Sequence, residues 1–345
     1  MKDTIVSGIR ASGKLHIGNY LGALKQFVEL QDQHAGNCYF FIADLHALTT
    51  PFEPKELSKN TLEVAADYLA AGIDPNKATF FLQSQVMEHA ELGWIFNCLT
   101  SIGELQRMTQ FKDKSVQHSA KGGSASGGKE AINGGLLTYP TLMAADILLY
   151  KPTAVPVGDD QTQHVELTRD IARKFNNRFG QTFPEPKTYM RKPLRVMSLT
   201  DPTKKMSKTP HQSKLGAGQA GDEALMLDDE PEEILRKLKK AVTATEAAEK
   251  SPGVDNLFLL LEHFGTKEQL KHFQDEQKGN KIKYSELKET LAAQITDAFA
   301  TFREKKKNIL SDNGYLAEIL ATGAEKARKV AQETLFEVKQ KIGLL

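Results

Sequence analysis

Short apolar runs alternate with amphipathic stretches over the first two hundred residues. Residues 4–9, 38–45, 79–83 and 153–157 read as buried strands. Residues 19–32, 54–72, 88–108, 136–150 and 160–179 carry the helical period. Strands alternating with helices predict a parallel sheet of βαβ units, with ligands bound beyond the carboxyl ends of the strands. Past residue 210 the pattern is helical only: 231–242, 254–264, 267–274, 284–306 and 313–342. A glycine-rich joint, 216–221, precedes them. The expected fold is therefore α/β: a Rossmann-like parallel-sheet domain over 1–209 and an all-helical domain over 210–345, whose last helix can pack back on the first. The Gly/Ser/Lys segment 119–129 has too little apolar content to pack and reads as a mobile loop.

Composition narrows this picture modestly. With 345 residues, 40% of them hydrophobic, the chain can bury more than one core. It has no apolar run long enough to span a bilayer and no signal peptide, so a cytoplasmic location and no membrane partner are expected. Cys38 and Cys98 sit in apolar segments and are read as packing residues in a reducing compartment. No bound metal is expected. A net charge of +1 leaves room for a local basic patch that meets phosphates.

Two stretches have phosphate-loop spacing. Gly8-Ile9-Arg10-Ala11-Ser12-Gly13-Lys14 follows a strand, Gly123–Lys129 repeats the spacing, and 39–44 looks like an apolar strand ending in a metal-binding aspartate. A P-loop nucleotide hydrolase needs Ser or Thr after the lysine to hold Mg2+, and Leu15 and Glu130 stand there instead.

The better reading lies just downstream. His16-Ile17-Gly18-Asn19 opens a helix after the first strand. Gly18 allows close backbone approach, the helix N-terminus suits phosphate, and His16 and Asn19 can donate to oxygens gaining charge. A structural helix cap explains the same four residues equally well. The second element is Thr203-Lys204-Lys205-Met206-Ser207-Lys208-Thr209, after a strand-like run over 194–199. Lys205 and Lys208, with hydroxyls beside them, can grip a triphosphate, although a lysine-rich loop is ordinarily a solvated surface.

In this order, flanking an α/β region, the two elements resemble the HIGH and KMSKS signatures of class I aminoacyl-tRNA synthetases. Residues 108–114, 138–150 and 155–161 (MTQFKDK, TYPTLMAADILLY, VPVGDDQ) sharpen the likeness to the bacterial tryptophanyl family. That resemblance implies activation of L-tryptophan by ATP with Mg2+, transfer to tRNA(Trp), and a homodimer. Tyr139, Met143 and Asp146 share one helix face. The resemblance makes Asp146 the acceptor for the indole N–H, an assignment the chemistry supports because indole only donates and carboxylate only accepts. It places Val6, His46, Val155, Val157 and Gln161 in the same pocket. It places Arg10, Ala11, Ser12, Gly18, Asn19, Gly158, Asp159, Asp160, Val196, Lys205, Met206, Ser207, Lys208 and Thr209 on ATP. His16, Asn19, Lys205 and Lys208 carry the charge stabilisation, and Lys114 and Gln161 are further candidates for substrate or phosphate contact. The helical domain is the expected anticodon reader, with the basic run 303–307 as a candidate phosphate contact; a solvated helix face is the other account.

A tyrosine hydroxyl can also donate to Asp146, so the aspartate alone leaves the tyrosyl alternative open. The sequence also departs from the family pattern. Ala11 stands where proline is usual, His16 where threonine is frequent, Leu45 where glutamine is usual, and Thr209 where the final serine is usual. Residues 119–128 look inserted, and 243–251 look shortened.

Overall fold

A computed structural model describes residues 3–11, 13–113, 133–189, 194–207, 221–243 and 251–345. Five parallel strands form its sheet: β1 (Ile5–Arg10), β2 (Cys38–Ala43), β3 (Ala78–Leu82), β4 (Ala154–Pro156) and β5 (Lys187–Tyr189), in the order β3-β2-β1-β4-β5. β1 is central, pairing Ile5 with Cys38 on one side and with Ala154 on the other. Helices cover both faces, which is why β1 and β2 read as continuous apolar runs rather than alternating ones. The chain builds outward from β1 to β3, then returns to place β4 on the opposite side. That reversal opens a crevice at the carboxyl ends of β1 and β4.

Several elements differ from the sequence pattern. β5 is a polar edge strand of three residues, Lys-Thr-Tyr, too short to register as an apolar run. Residues 194–199 form no strand in the sheet. Met197 instead bridges antiparallel to Lys205, giving a hairpin in which Ser198 N–H donates to Lys204 O and Met206 N–H to Val196 O, at 2.8 and 2.9 Å. The stretch 88–108 breaks after Glu88–Leu99. Ser101 then starts a new helix, Ile102–Gln106, through a capping box with Glu104. The stretch 284–306 divides at Phe299 into Tyr284–Ala298 and Ala300–Ser311. The helix over 17–33 contains a π segment, Tyr20–Leu24.

The last helix, Asn313–Ile342, crosses the sheet at β3. Ala324, Ala327, Ala331, Leu335 and Val338 recur at helical spacing and join the core of Phe41, Phe81, Phe96 and Phe175. The approach is closest at Gly323, where a Cβ would stand 1.8 Å from Phe80 O. The helices Pro231–Lys240, Pro252–Phe264, Tyr284–Ala298 and Ala300–Ser311 share a second core with Ile17, Leu24 and Tyr68. The expected domain junction at 209–210 and the loop 119–129 lie outside the described residues. Two expectations change at side-chain level. Cys98 is exposed rather than packed, while Cys38 is buried and its thiol is pushed up to about 12 by desolvation. Lys306, in the basic run, is buried and bound to carboxylates, so it cannot meet a phosphate.

Candidate active site

A cavity of about 320 Å3 occupies the crevice between β1 and β4. Val6, Ser7, Gly8, Ile9 and Arg10 of β1 form one wall. Val155–Gly158, at the end of β4, form the other, and the Ser7 hydroxyl donates to Pro156 O (3.0 Å) to hold the two together. Tyr139, Met143 and Asp146 enter from one face of the helix Gly134–Leu148, as their spacing requires. His46 comes from the turn after β2 and Gln161 from the 3-10 turn Asp159–Gln161. All eight residues assigned to tryptophan thus line one cavity, together with Arg10 and Gly158.

Asp146 is 2% exposed and fully ligated by protein groups on one oxygen. Gln83 Nε2 donates to Oδ1 at 2.7 Å, and His89 Nδ1 lies 2.6 Å from the same atom. His46 Nε2 lies 2.7 Å from Oδ2. Since a carboxylate only accepts, both imidazole nitrogens carry their protons toward it. His89 Nε2 meets the Tyr150 hydroxyl at 2.7 Å, which fixes the ring from behind. Burial alone would raise the Asp146 pKa. The charges and hydrogen bonds of His46 and His89 outweigh it and hold the carboxyl at about 2. Among the described residues, three donors occupy its acceptor sites, leaving one lone-pair position on Oδ2. Gln83, His89 and Tyr150 escaped sequence reading. They lie on different elements and belong to no motif that marks them as partners of residue 146.

The rest of the rim is polar. Arg10 Nη2 donates to Ala47 O and to Thr50 Oγ1, at 3.2 and 2.6 Å, tying β1 to the segment after His46. The Tyr139 hydroxyl is 2.8 Å from His164 Nε2, and burial pushes its pKa up to about 12. Gln161 Nε2 donates to Asp160 Oδ2 (2.7 Å), fixing the carboxylate at the start of the helix Thr162–Phe179.

The first loop runs from β1 to the helical stretch whose Gly22, Ala23, Gln26 and Phe27 line this cavity, while His16, Gly18 and Asn19 are not among the lining residues. His16 is buried, and its backbone N–H donates to Asn19 Oδ1 (3.1 Å), so Asn19 also serves as a local cap. A Cβ on Gly18 would meet the His16 ring at 2.9 Å and Val196 at 3.6 Å. A side chain at this position would force the His16 ring to move. The contact with Val196 brings the lysine hairpin against the first loop, although 178 positions separate the two residues in sequence. Asn256, on the helix Pro252–Phe264, clips this hairpin. Its Oδ1 accepts from Met197 N (2.9 Å), and its Nδ2 donates to Met197 O (3.0 Å). Val196 and Met206 are buried, Ala11 is in the core, Ser207 is half-buried and Lys205 is exposed. Ser12, Lys114, Lys208, Thr209 and the side chain of Asp159 lie outside the described residues.

Two observations count against the P-loop alternative. Asp44 accepts from the backbone and hydroxyl of Ser84, and Lys14 is paired with Asp228. The second candidate loop, 123–129, lies outside the described residues. Among the described residues no group of His, Cys, Asp or Glu could hold a metal ion, and no helix is long and apolar enough to cross a membrane.

This geometry has close relatives. The family described as tRNA synthetases class I (W and Y) matches residues 2–300. A tryptophan–tRNA ligase of Caldanaerobacter subterraneus is 47% identical over 351 residues, covering 99% of this chain and 98% of the relative. That of Bacillus subtilis is 44% identical over 352 residues, covering 100% and 98%. The tryptophanyl-tRNA synthetase of Campylobacter jejuni, solved with ADP and tryptophan, superposes with a TM-score of 0.81 at 36% identity, covering 98% of this chain and 99% of that one.

Proposed function

The chain belongs to the class I tRNA synthetases of the tryptophan and tyrosine group, and from that premise we infer that it activates L-tryptophan with ATP and transfers it to tRNA(Trp). The observation that carries the amino-acid assignment is the single acceptor position left on Asp146, facing a cavity walled by Met143, Val155 and Val157. Indole offers one N–H donor on a large flat ring, and a methionine wall is pliable enough to fit it. A tyrosine hydroxyl could also donate to that position, but its smaller ring would bury less apolar area against the same walls. Rejecting smaller side chains by fit leaves no need for an editing domain.

In the first step the substrate carboxylate attacks the α-phosphorus of ATP in line. The bond to the leaving pyrophosphate breaks, and the aminoacyl-adenylate forms. No covalent enzyme intermediate is required, so the chain's work is positioning and charge stabilisation. His16, Asn19, Lys205 and Lys208 are assigned to the phosphate oxygens, and Gly158, Asp159 and Asp160 to the adenosine. The packing of Val196 on Gly18 supports one nucleotide held between the two loops. Mg2+ arrives with the triphosphate. In the second step the terminal 2′-hydroxyl of tRNA attacks the adenylate carbonyl and AMP leaves.

The helical part supplies the anticodon contact in this reading. Lys271, Lys278, Lys281, Lys305 and Lys307 are exposed there, and neutralised phosphates would make tRNA affinity fall steeply with salt. The working unit is a homodimer in the cytoplasm. Met87, Trp94 and Ile102 are 75%, 68% and 65% exposed, apolar side chains of the kind a second copy covers.

The test is amino-acid-dependent exchange of pyrophosphate into ATP. Tryptophan should drive it, and tyrosine should not. Tyrosine-driven exchange of equal rate would overturn the assignment. Lys208→Ala should slow adenylate formation far more than it weakens tryptophan binding.

A further inference from the structure

Behind the first loop lies a line of four alternating charges that the cavity does not use. Lys14 Nζ is 3.0 Å from Asp228 Oδ2, that oxygen is 2.9 Å from Lys306 Nζ, and Lys306 Nζ is 2.7 Å from Asp67 Oδ1. The second oxygen of Asp67 accepts the Leu15 N–H at 3.3 Å. The side chains of Asp67 and Lys306 are 1% and 6% exposed. Three remote segments meet here: the helix Pro54–Ala71, the helix Ala300–Ser311 and the strip 225–228. The strip is already laddered to the loop, with Ile17 N–H donating to Leu225 O and Leu227 N–H to Leu15 O.

A lysine this dry keeps its proton only because carboxylates face it. Burial works against the ammonium, and Asp67 and Asp228 more than offset it. A buried ion pair adds little stability over apolar side chains of similar size, so stability alone does not explain the arrangement. Its geometric effect is plain: every member touches the 14–17 loop, or touches a residue that does.

We propose that Lys306 is a positioning residue for ATP. From the helical part it holds Asp67 and Asp228 in place, and through them the Leu15 amide and the Lys14 side chain, so the loop takes its working shape only with the helical part docked. The proposal rests on reading that loop as the nucleotide-binding element.

Two variants of the full chain test it. Lys306→Met strands the buried Asp67 carboxylate and can fail to fold. Asp67→Asn combined with Lys306→Met strands no charge at this pair, keeps an amide oxygen for the Leu15 N–H, and leaves Asp228 with Lys14. In the double variant the KM for ATP should rise about tenfold while the Kd for tryptophan stays within about twofold of wild type. Amide hydrogen exchange over residues 13–19 should quicken, a readout that global stability alone does not direct to one loop. A folded double variant with wild-type KM for ATP, or with wild-type exchange at 13–19, overturns the proposal. A wild-type chain without tryptophan-dependent pyrophosphate exchange would instead sink the functional reading, and the amide measurement would still decide the positioning role.

Discussion

Asp146 is the residue to which we assign the indole contact, and its environment makes two outcomes calculable. Asp146→Asn keeps the shape but replaces one acceptor oxygen with an NH2 donor. That group must face either His46 or the Gln83–His89 pair, all of which donate. Tryptophan-dependent pyrophosphate exchange should fall by roughly 100-fold in kcat/KM. Wild-type exchange would remove the carboxylate from the pocket. The same environment predicts a pH effect on stability. The folded carboxyl titrates at about 2 against an ordinary 3.8, so the folded state binds its proton less readily than the unfolded chain does. Its contribution, on the order of 2 kcal/mol, is therefore complete above about pH 4 and is lost as the pH falls toward 2. Denaturant titrations across that window should show a smaller loss in Asp146→Asn than in the wild type.

At the scale of elements, the close crossing of the last helix over β3 is the most sensitive joint. Gly323→Ala would place its Cβ 1.8 Å from a strand carbonyl oxygen, and backbone cannot yield there as a flexible side chain could. Overpacking of this kind costs about 1–3 kcal/mol, and chemical denaturation should find Gly323→Ala at or beyond the upper end. An unchanged midpoint would mean the helix sits farther from the sheet. The pattern of the chain placed this helix well, because the spacing of Ala324, Ala327, Ala331, Leu335 and Val338 is a local signal. It placed β5 poorly, because an edge strand of three polar residues presents no apolar run. The helix break at Ser101 was legible in principle from Ser101-x-x-Glu104, a capping box inside what otherwise reads as one long helix.

For the whole molecule, the prediction concerns assembly. Met87, at the N-cap, and Trp94 lie seven residues apart along the helix Glu88–Leu99, and Ile102 opens the next helix. Light scattering should give twice the 38.2 kDa of the single chain. Trp94→Asp should shift the mass toward one copy while leaving the far-ultraviolet dichroism intact, because the side chain is 68% exposed in the single chain. A dimer undisturbed by Trp94→Asp would put the interface on another face.

The alternation of the first four strands with helices, the two loops at residues 16 and 205, and the shared face of Tyr139, Met143 and Asp146 were all determined by the sequence alone. Each is written in spacings of a few residues, and backbone geometry converts such spacings directly into direction. What only the tertiary structure decided is which distant groups meet. Gln83 and His89 reach Asp146 across 63 and 57 positions, Asn256 clips Met197 across 59, and Lys306 leaves the basic surface to pair with Asp67 inside. Pairings of that length depend on how whole elements pack, and a buried polar group takes whichever partner the packing brings within reach, leaving no mark in the residues beside it.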